Sequence, residues 1–166
     1  MVLHPRDPNV AYVAAVGNLW RGNPERGVYK TTDAGKTWAK VLYVDTLTGA
    51  VKVAMGEGLP GMFSNSDALA ADLLKAGKER GDNSWRLPLD PGQKSKLKSD
   101  VADMVNSAGG FGGAVTAALF LEAFVAGVPW AHFDIYAWTS NTGVFNEKGG
   151  NGQMVQCLSQ FCEGLK

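Results

Sequence analysis

Apolar positions change their spacing along this chain, and the changes mark out its elements. Near the N-terminus they fall in short runs: residues 10–16, 27–30 and 38–44 predict three strands, with turn signals at Asn23-Pro24, Glu25-Arg26-Gly27 and Asp33-Ala34-Gly35. Residues 2–45 therefore read entirely as β, and 60–64 predict a further, buried strand. From Ser66 the spacing becomes helical. Ser66 suits an N-cap and Asp67 a first turn, while Ala68, Leu69, Ala71, Leu73 and Leu74 supply an apolar face that ends at Gly77 and Gly81. Pro88 and Gly92 break the chain before a short polar helix reaching Lys98. Val155, Leu158, Phe161 and Cys162 predict a last amphipathic helix after a polar, Gly-rich loop over 139–151.

The tightest succession lies between Leu97 and Trp138. Alternation over 101–105 predicts a strand, Gly109-Gly110-Phe111-Gly112-Gly113 a turn, residues 114–125 an apolar helix, and 130–136 a second strand. Such a unit closes by a right-handed crossover, which lays the helix against a mostly parallel sheet. The expected fold class is α/β: a partial mixed sheet with flanking helices, preceded by a small antiparallel β segment.

Composition narrows the function more than the fold. A chain of 166 residues, 45% hydrophobic, can bury about two-thirds of its unfolded surface, enough for one domain with a small appendage. Sixteen basic residues balance sixteen acidic ones without long runs, which argues against nucleic acid or a membrane surface as partner. Lys94, Lys96 and Lys98 scatter around a helix and read as solvated surface. No apolar run approaches the length of a membrane span and Met1 is not followed by a secretory segment, so the expectation is a soluble, cytoplasmic chain. Cys157 and Cys162 lie about 140° apart around a helix and are not expected to pair. His4 and His132 lack a second His or Cys at ligand spacing and read as structural.

Thr31-Thr32-Asp33-Ala34-Gly35-Lys36-Thr37-Trp38, preceded by Pro8-Asn9-Val10-Ala11-Tyr12-Val13, resembles the Asp-box hairpin of a β-propeller blade of the sortilin and sialidase-like type. The resemblance implies a structural role. Asp33 would accept bonds within its own loop, Gly35 would take a positive φ, and Trp38 would pack under the hairpin. A propeller needs several blades; this sequence carries one Asp-box.

From Thr46 the text changes. Thr46-Leu47-Thr48-Gly49-Ala50, Gly61-Met62-Phe63-Ser64-Asn65, Trp85-Arg86-Leu87-Pro88-Leu89, Leu97-Lys98-Ser99-Asp100-Val101-Ala102-Asp103-Met104 and Trp130-Ala131-His132-Phe133-Asp134-Ile135 follow in order. Together they closely resemble the C-terminal part of the catalytic domain of leucyl (cytosol) aminopeptidases, over residues 46–166. The sequence thus reads as two units, 1–45 and 46–166, joined near Asp45 as in a chimera. A strand or a helix could follow the junction; a helix over 47–55 suits the larger module.

The resemblance implies removal of N-terminal residues from peptides by two divalent ions, Zn or Mn, that bind the substrate's amine and carbonyl and activate water. The family's metal ligands lie upstream of the Thr-Leu-Thr-Gly-Ala string, where this chain carries hairpin text. No cofactor is therefore expected here, and the chain is expected to be inactive. By resemblance Thr46, Leu47, Gly49 and Tyr136 belong to the substrate pocket, and Tyr136 would narrow it; the plainer reading of Tyr136 is a half-buried strand-end aromatic. A peptide ligand and a homo-oligomer are the partners implied. An interaction module offering a strand edge is the alternative. Two further readings concern leftover acids and glycines. Asp100 and Asp103, three apart at a strand start, should face apart. Asp103 and Asp134 could approach across the sheet, though each is expected instead to accept N–H bonds from the Gly109 to Gly113 loop, whose glycines serve close helix–sheet packing rather than anion binding.

Overall fold

A computed structural model describes residues 2–3, 6–15, 27–125, 127–140 and 148–165, with backbone alone at 2, 3, 14, 15, 27, 28 and 40–45. Its strands β1 (Val2–Leu3), β2 (Ala11–Ala15), β3 (Gly27–Thr31), β4 (Ala39–Asp45), β5 (Gly61–Ser64), β6 (Trp85–Arg86) and β7 (Trp130–Asp134) form one sheet in the order β1-β2-β3-β4-β7-β5-β6. The first four run antiparallel in sequence. β4 then pairs parallel with β7, Tyr43 opposite Trp130 and Asp45 opposite His132. β7 pairs antiparallel with β5, and β5 parallel with β6. The sheet is mixed rather than mostly parallel, and it runs without interruption from the N-terminal hairpins into the larger module.

Among the described residues four α-helices flank it: α1 (Lys52–Met55), α2 (Asp67–Arg80), α3 (Gly113–Glu122) and α4 (Val155–Gly164), with a 3₁₀ helix at Pro91–Leu97. Because side chains alternate across a strand, β5 and β7 supply both faces of the sheet. Met62, Ala131 and Phe133 pack against Leu69, Leu73 and Ala76 of α2 and Cys157 of α4, while Phe63 and Trp130 pack against Val51, Ala114 and Ala118 on the other side. Every residue of β5 and β7 is buried.

The Ser66 side chain caps α2 by accepting from Leu69 N–H, and Gly81 closes the helix in the left-handed conformation. The buried face of α2 is Leu69, Ala70, Leu73, Ala76 and Gly77; Ala68 and Ala71, expected inside, are exposed. α4 departs similarly. Val155 is 58% exposed, and Cys157 takes the inward position, its thiol donating to Leu73 C=O. Both cysteines are free and buried, and burial pushes the Cys157 thiol up to about 12. The helix after Thr-Leu-Thr-Gly-Ala is present but shorter than expected, and β7 stops at Asp134, two residues before the anticipated end.

Residues 101–105 are not a strand. They form bends in which Ser99 Oγ accepts from Val101 and Ala102 N–H, and Val101 is 96% exposed. A Ser-based turn satisfies locally the donors a sheet would have taken. The parallel partner of β7 is instead β4. Of the expected 139–151 loop, the ends form a two-strand pair, β8 (Trp138–Thr139) with β9 (Gly149–Gly150), and the rest falls outside the described residues, as do His4 and the turn at Asn23-Pro24.

The turn at Asp33 has the geometry its sequence implies. Asp33 Oδ1 accepts from Thr31 Oγ1 (2.7 Å) and Thr37 N–H (2.9 Å), and Oδ2 accepts from Thr37 Oγ1 (2.6 Å). Gly35 has φ +88°, and Trp38 Nε1 donates to Gly35 C=O while its ring stays partly exposed. These hydrogen bonds, the Thr31 bond foremost, hold the Asp33 carboxyl down to about 2.

Candidate functional site

The loop from Thr46 to Val51 leaves β4 and is fastened to the end of β7. Asp134, fully buried, receives the Thr48 hydroxyl on Oδ1 (2.8 Å) and Val51 N–H on Oδ2 (2.8 Å). Val51 opens α1, so one carboxyl group ties loop, helix start and central strand together. The donors come from this loop, not from the Gly109 to Gly113 turn. That turn instead launches α3: Gly112 starts the helix in the left-handed conformation, and a Cβ on Gly113 would lie 3.4 Å from the Ala50 methyl. Asp103 sits exposed in the 101–105 bends, so the two carboxyls make no buried pair across the sheet.

Fastening the loop sets Gly49 hard against the segment that follows β7. A Cβ at Gly49 would lie 3.1 Å from Ile135 O and 3.3 Å from Tyr136 Cα, an approach that only glycine makes without displacement. Tyr136 is half-buried, and the Lys52 ammonium stands 3.7 Å from its ring centroid, a cation–π contact. The next residues are held too: Gln153 accepts from Ala137 N–H and donates to Glu57 C=O. His132 is fully buried between the Phe63 and Trp130 rings, as a structural histidine would be.

On the other side of the loop, Leu47 and Thr48 border a cavity of about 280 Å³ whose remaining wall includes Asn106, Ser107, Gly113 and Thr116 over an apolar floor of Leu97 and Ala117. Leu47 is thus placed at a concave surface, and Gly49 and Tyr136 are brought together beside it. Thr46 is exposed, and neither Thr46 nor Tyr136 belongs to the lining. The lining holds hydroxyls, an amide and apolar groups; it has no carboxyl, imidazole, thiol or amine to move a proton.

Sequence reasoning did not find Asp82, which accepts from Met154, Gln156 and Cys157 N–H and so caps α4 from a distant turn. Its position just after Gly81 marks a helix end, but nothing local says which helix it caps. The Lys52–Tyr136 contact was equally out of reach, because the two residues meet only once the loop is docked.

The match to the family profile described as "Cytosol aminopeptidase family, catalytic domain" covers residues 29–159. The chain belongs to the cytosol aminopeptidase family. A protein named "Probable cytosol aminopeptidase" from Burkholderia mallei (strain SAVP1) is 48% identical over 125 residues, which span 74% of this chain and 24% of that protein. The crystal structure of the cytosol aminopeptidase from Coxiella burnetii aligns with TM-score 0.68 and 41% identity, covering 75% of this chain and 28% of its own. The bottromycin maturation enzyme BotP in complex with Mn aligns with TM-score 0.71 and 38% identity over 76% of this chain and 29% of that one. The chain therefore spans about a quarter of the length of the cytosol aminopeptidases it matches, and its mixed α/β fold is that of their catalytic domains.

Cytosol aminopeptidase chemistry is metal-dependent, and the side chains present decide whether an ion could be held. Among the described residues no group of three or more His, Cys, Asp or Glu side chains is arranged to hold one. The fully buried carboxyl near the loop, Asp134, has both oxygens engaged by Thr48 and Val51. The described residues do not fit a dinuclear centre, and they supply no reaction step that runs through one.

Proposed function

We propose that this chain is a non-catalytic portion of an aminopeptidase domain, one that presents part of the wall of a peptide-binding cleft and does not cleave peptides by itself. The cavity beside the Thr-Leu-Thr-Gly loop carries the reading: it is concave and fixed by a buried Asp134, yet its lining offers no group able to ligate metal or transfer a proton. In this reading Leu47 lines the cleft directly, whereas Thr46, Gly49 and Tyr136 stand outside that lining and shape it only through the loop, which Gly49 seats against Tyr136, itself braced by Lys52. On this proposal the Asp-box, blade-like text of residues 1–45 has a structural role through Asp33, Gly35 and Trp38, and residues 46–166 carry the aminopeptidase-like text, the two sharing one sheet through the β4–β7 pairing and the family match reaching back to residue 29. The names of the relatives support a cytosolic setting. Zn or Mn would act in complete relatives, as the Mn complex of BotP suggests for that protein.

The test is hydrolysis of leucine p-nitroanilide by the purified chain with added Mn²⁺ or Zn²⁺, together with metal analysis. Background rates and no stoichiometric metal are expected; turnover, or two bound ions per chain, overturns the reading. A second reading, an interaction module, is favoured by Trp85, 64% exposed on the edge strand β6. Size exclusion tests this second reading in one direction: an edge-pairing module should self-associate with concentration, so a monomer at high concentration refutes it, whereas self-association is also what the family resemblance implies.

A further inference from the structure

A second cavity, of about 340 Å³, lies against the C-terminal half of α3 and adjoins the first through Leu97, which lines both. Leu119, Glu122 and Ala123 face it from α3 and the residue after it, and Lys94, Leu97 and Lys98 face it from the 3₁₀ helix and its end. Both triplets have spacings of three and one, so each presents a single stripe. Asp103 and Met104, in the bends that replaced the expected strand, close the third side. The inner wall is apolar: Leu97 is 5% exposed and Leu119 2% exposed, with Met104 half-buried. Charge is confined to the rim and is of both signs.

The rim charges are not equivalent. Lys94 and Glu122 are already joined at 3.3 Å and hold one end of the cavity together. Lys98 and Asp103 flank the same opening, and neither ammonium nor carboxyl has an ion-pair or hydrogen-bond partner among the described residues. An apolar pocket beneath one available cation and one available anion is complementary to a small molecule with an aliphatic tail and a zwitterionic head. Anionic or cationic ligands would satisfy one rim charge and be opposed by the other. The volume falls at the low end of small-molecule sites.

We infer that this cavity between α3, the 3₁₀ helix and residues 103–104 is a binding site for a free aliphatic α-amino acid, its side chain against Leu97, Met104 and Leu119, its carboxylate toward Lys98 and its ammonium toward Asp103. The inference does not depend on the cleft reading above: the two cavities share Leu97, but none of Lys98, Asp103 and Leu119 lines the one beside the loop.

The experiment titrates the full chain with L-leucine, 4-methylpentanoate and 3-methylbutylamine, read by NMR shifts of residues 94–104 and 119–123. Leucine is expected to bind about threefold or more tightly than either half-molecule, the range of an exposed ion pair. Lys98→Gln should weaken leucine but not 3-methylbutylamine, and Asp103→Asn should weaken leucine but not 4-methylpentanoate. Ala123→Trp, at an exposed position on the rim, fills the cavity without touching the core and should abolish the shifts. No shifts at high millimolar leucine, equal binding of the three compounds, shifts confined to the Leu47 cavity, or leucine binding untouched by Ala123→Trp would each overturn the proposal.

Discussion

Replacing Asp134 with Ala removes the group that fastens the 46–51 loop, and its cost follows from the two bonds lost. Val51 N–H is buried, and a buried donor left without a partner costs about 1–3 kcal/mol. The Thr48 hydroxyl is only half-buried and can turn to water, so its bond is worth about 0.5–1.5 kcal/mol. Together these give about 2–4 kcal/mol, or a Tm lowered by about 5–15 °C for a chain of this size. Asp134→Asn should cost far less, because the amide oxygen can still accept from Val51 while its NH₂ donates to the Thr48 oxygen. Thr48→Val should cost only its own bond. Urea denaturation of the three variants and of Asp134→Ala/Thr48→Val gives the coupling directly. If Asp134→Ala unfolds within about 0.5 kcal/mol of the parent, which is the scatter expected of an unimportant surface change, the fastening role is refuted. The same holds if Asn costs as much as Ala.

Two further predictions are independent of that loop. Asp33 titrates at about 2 in the folded hairpin against an ordinary value of 3.8. A depressed folded value means that its contribution is complete above about pH 4 and is lost as pH falls through about 2, so Asp33→Asn should flatten the acid limb of hairpin stability in that window, read by the Thr37 amide shift; an unchanged limb refutes it. Asp82→Ala leaves three N–H groups of α4 without their cap and should destabilise by about 1–2 kcal/mol, with amide exchange accelerated at 154–158; exchange unchanged there would refute the capping role.

What was legible in the sequence depended on how local the cause was. The Asp33 turn and the Ser66 cap are written in consecutive residues, and the hydrogen bonds of both formed as read, although Trp38, expected under the hairpin, stays exposed. Three of the four N-terminal strands follow from short apolar runs and turn chemistry, while the two-residue β1 carries no such signal; β5 and β7 follow from apolar runs buried on both faces. The 101–105 segment shows the limit. Five residues of alternation do not distinguish a strand from an exposed bend, and the decision was made by Ser99, whose hydroxyl captured two backbone donors, and by β4, which had already taken the parallel edge of β7. Of the four pocket residues named from the sequence, Leu47 alone lines the cavity. The geometry of the loop was not legible, because Thr48 and Asp134 are 86 positions apart and only the closed sheet brings them together.

That β4–β7 edge also bears on whether the two halves of the chain can be separated. A chain beginning at Thr46 would lack β4 and leave the partners of Tyr43, Val44 and Asp45 without their ladder. Those partners are Trp130, Ala131 and His132, each fully buried. An unpaired edge on so apolar a strand invites pairing with another chain. Residues 46–166 alone should therefore be less stable and should self-associate, whereas in the full chain limited proteolysis should cut near the Asp33 turn more slowly than in an independent appendage. If residues 46–166 are monomeric with the full chain's Tm, or if cleavage before Asp45 releases a resistant core without loss of stability, then the parallel pairing contributes nothing to the fold and residues 1–45 are a detachable unit after all.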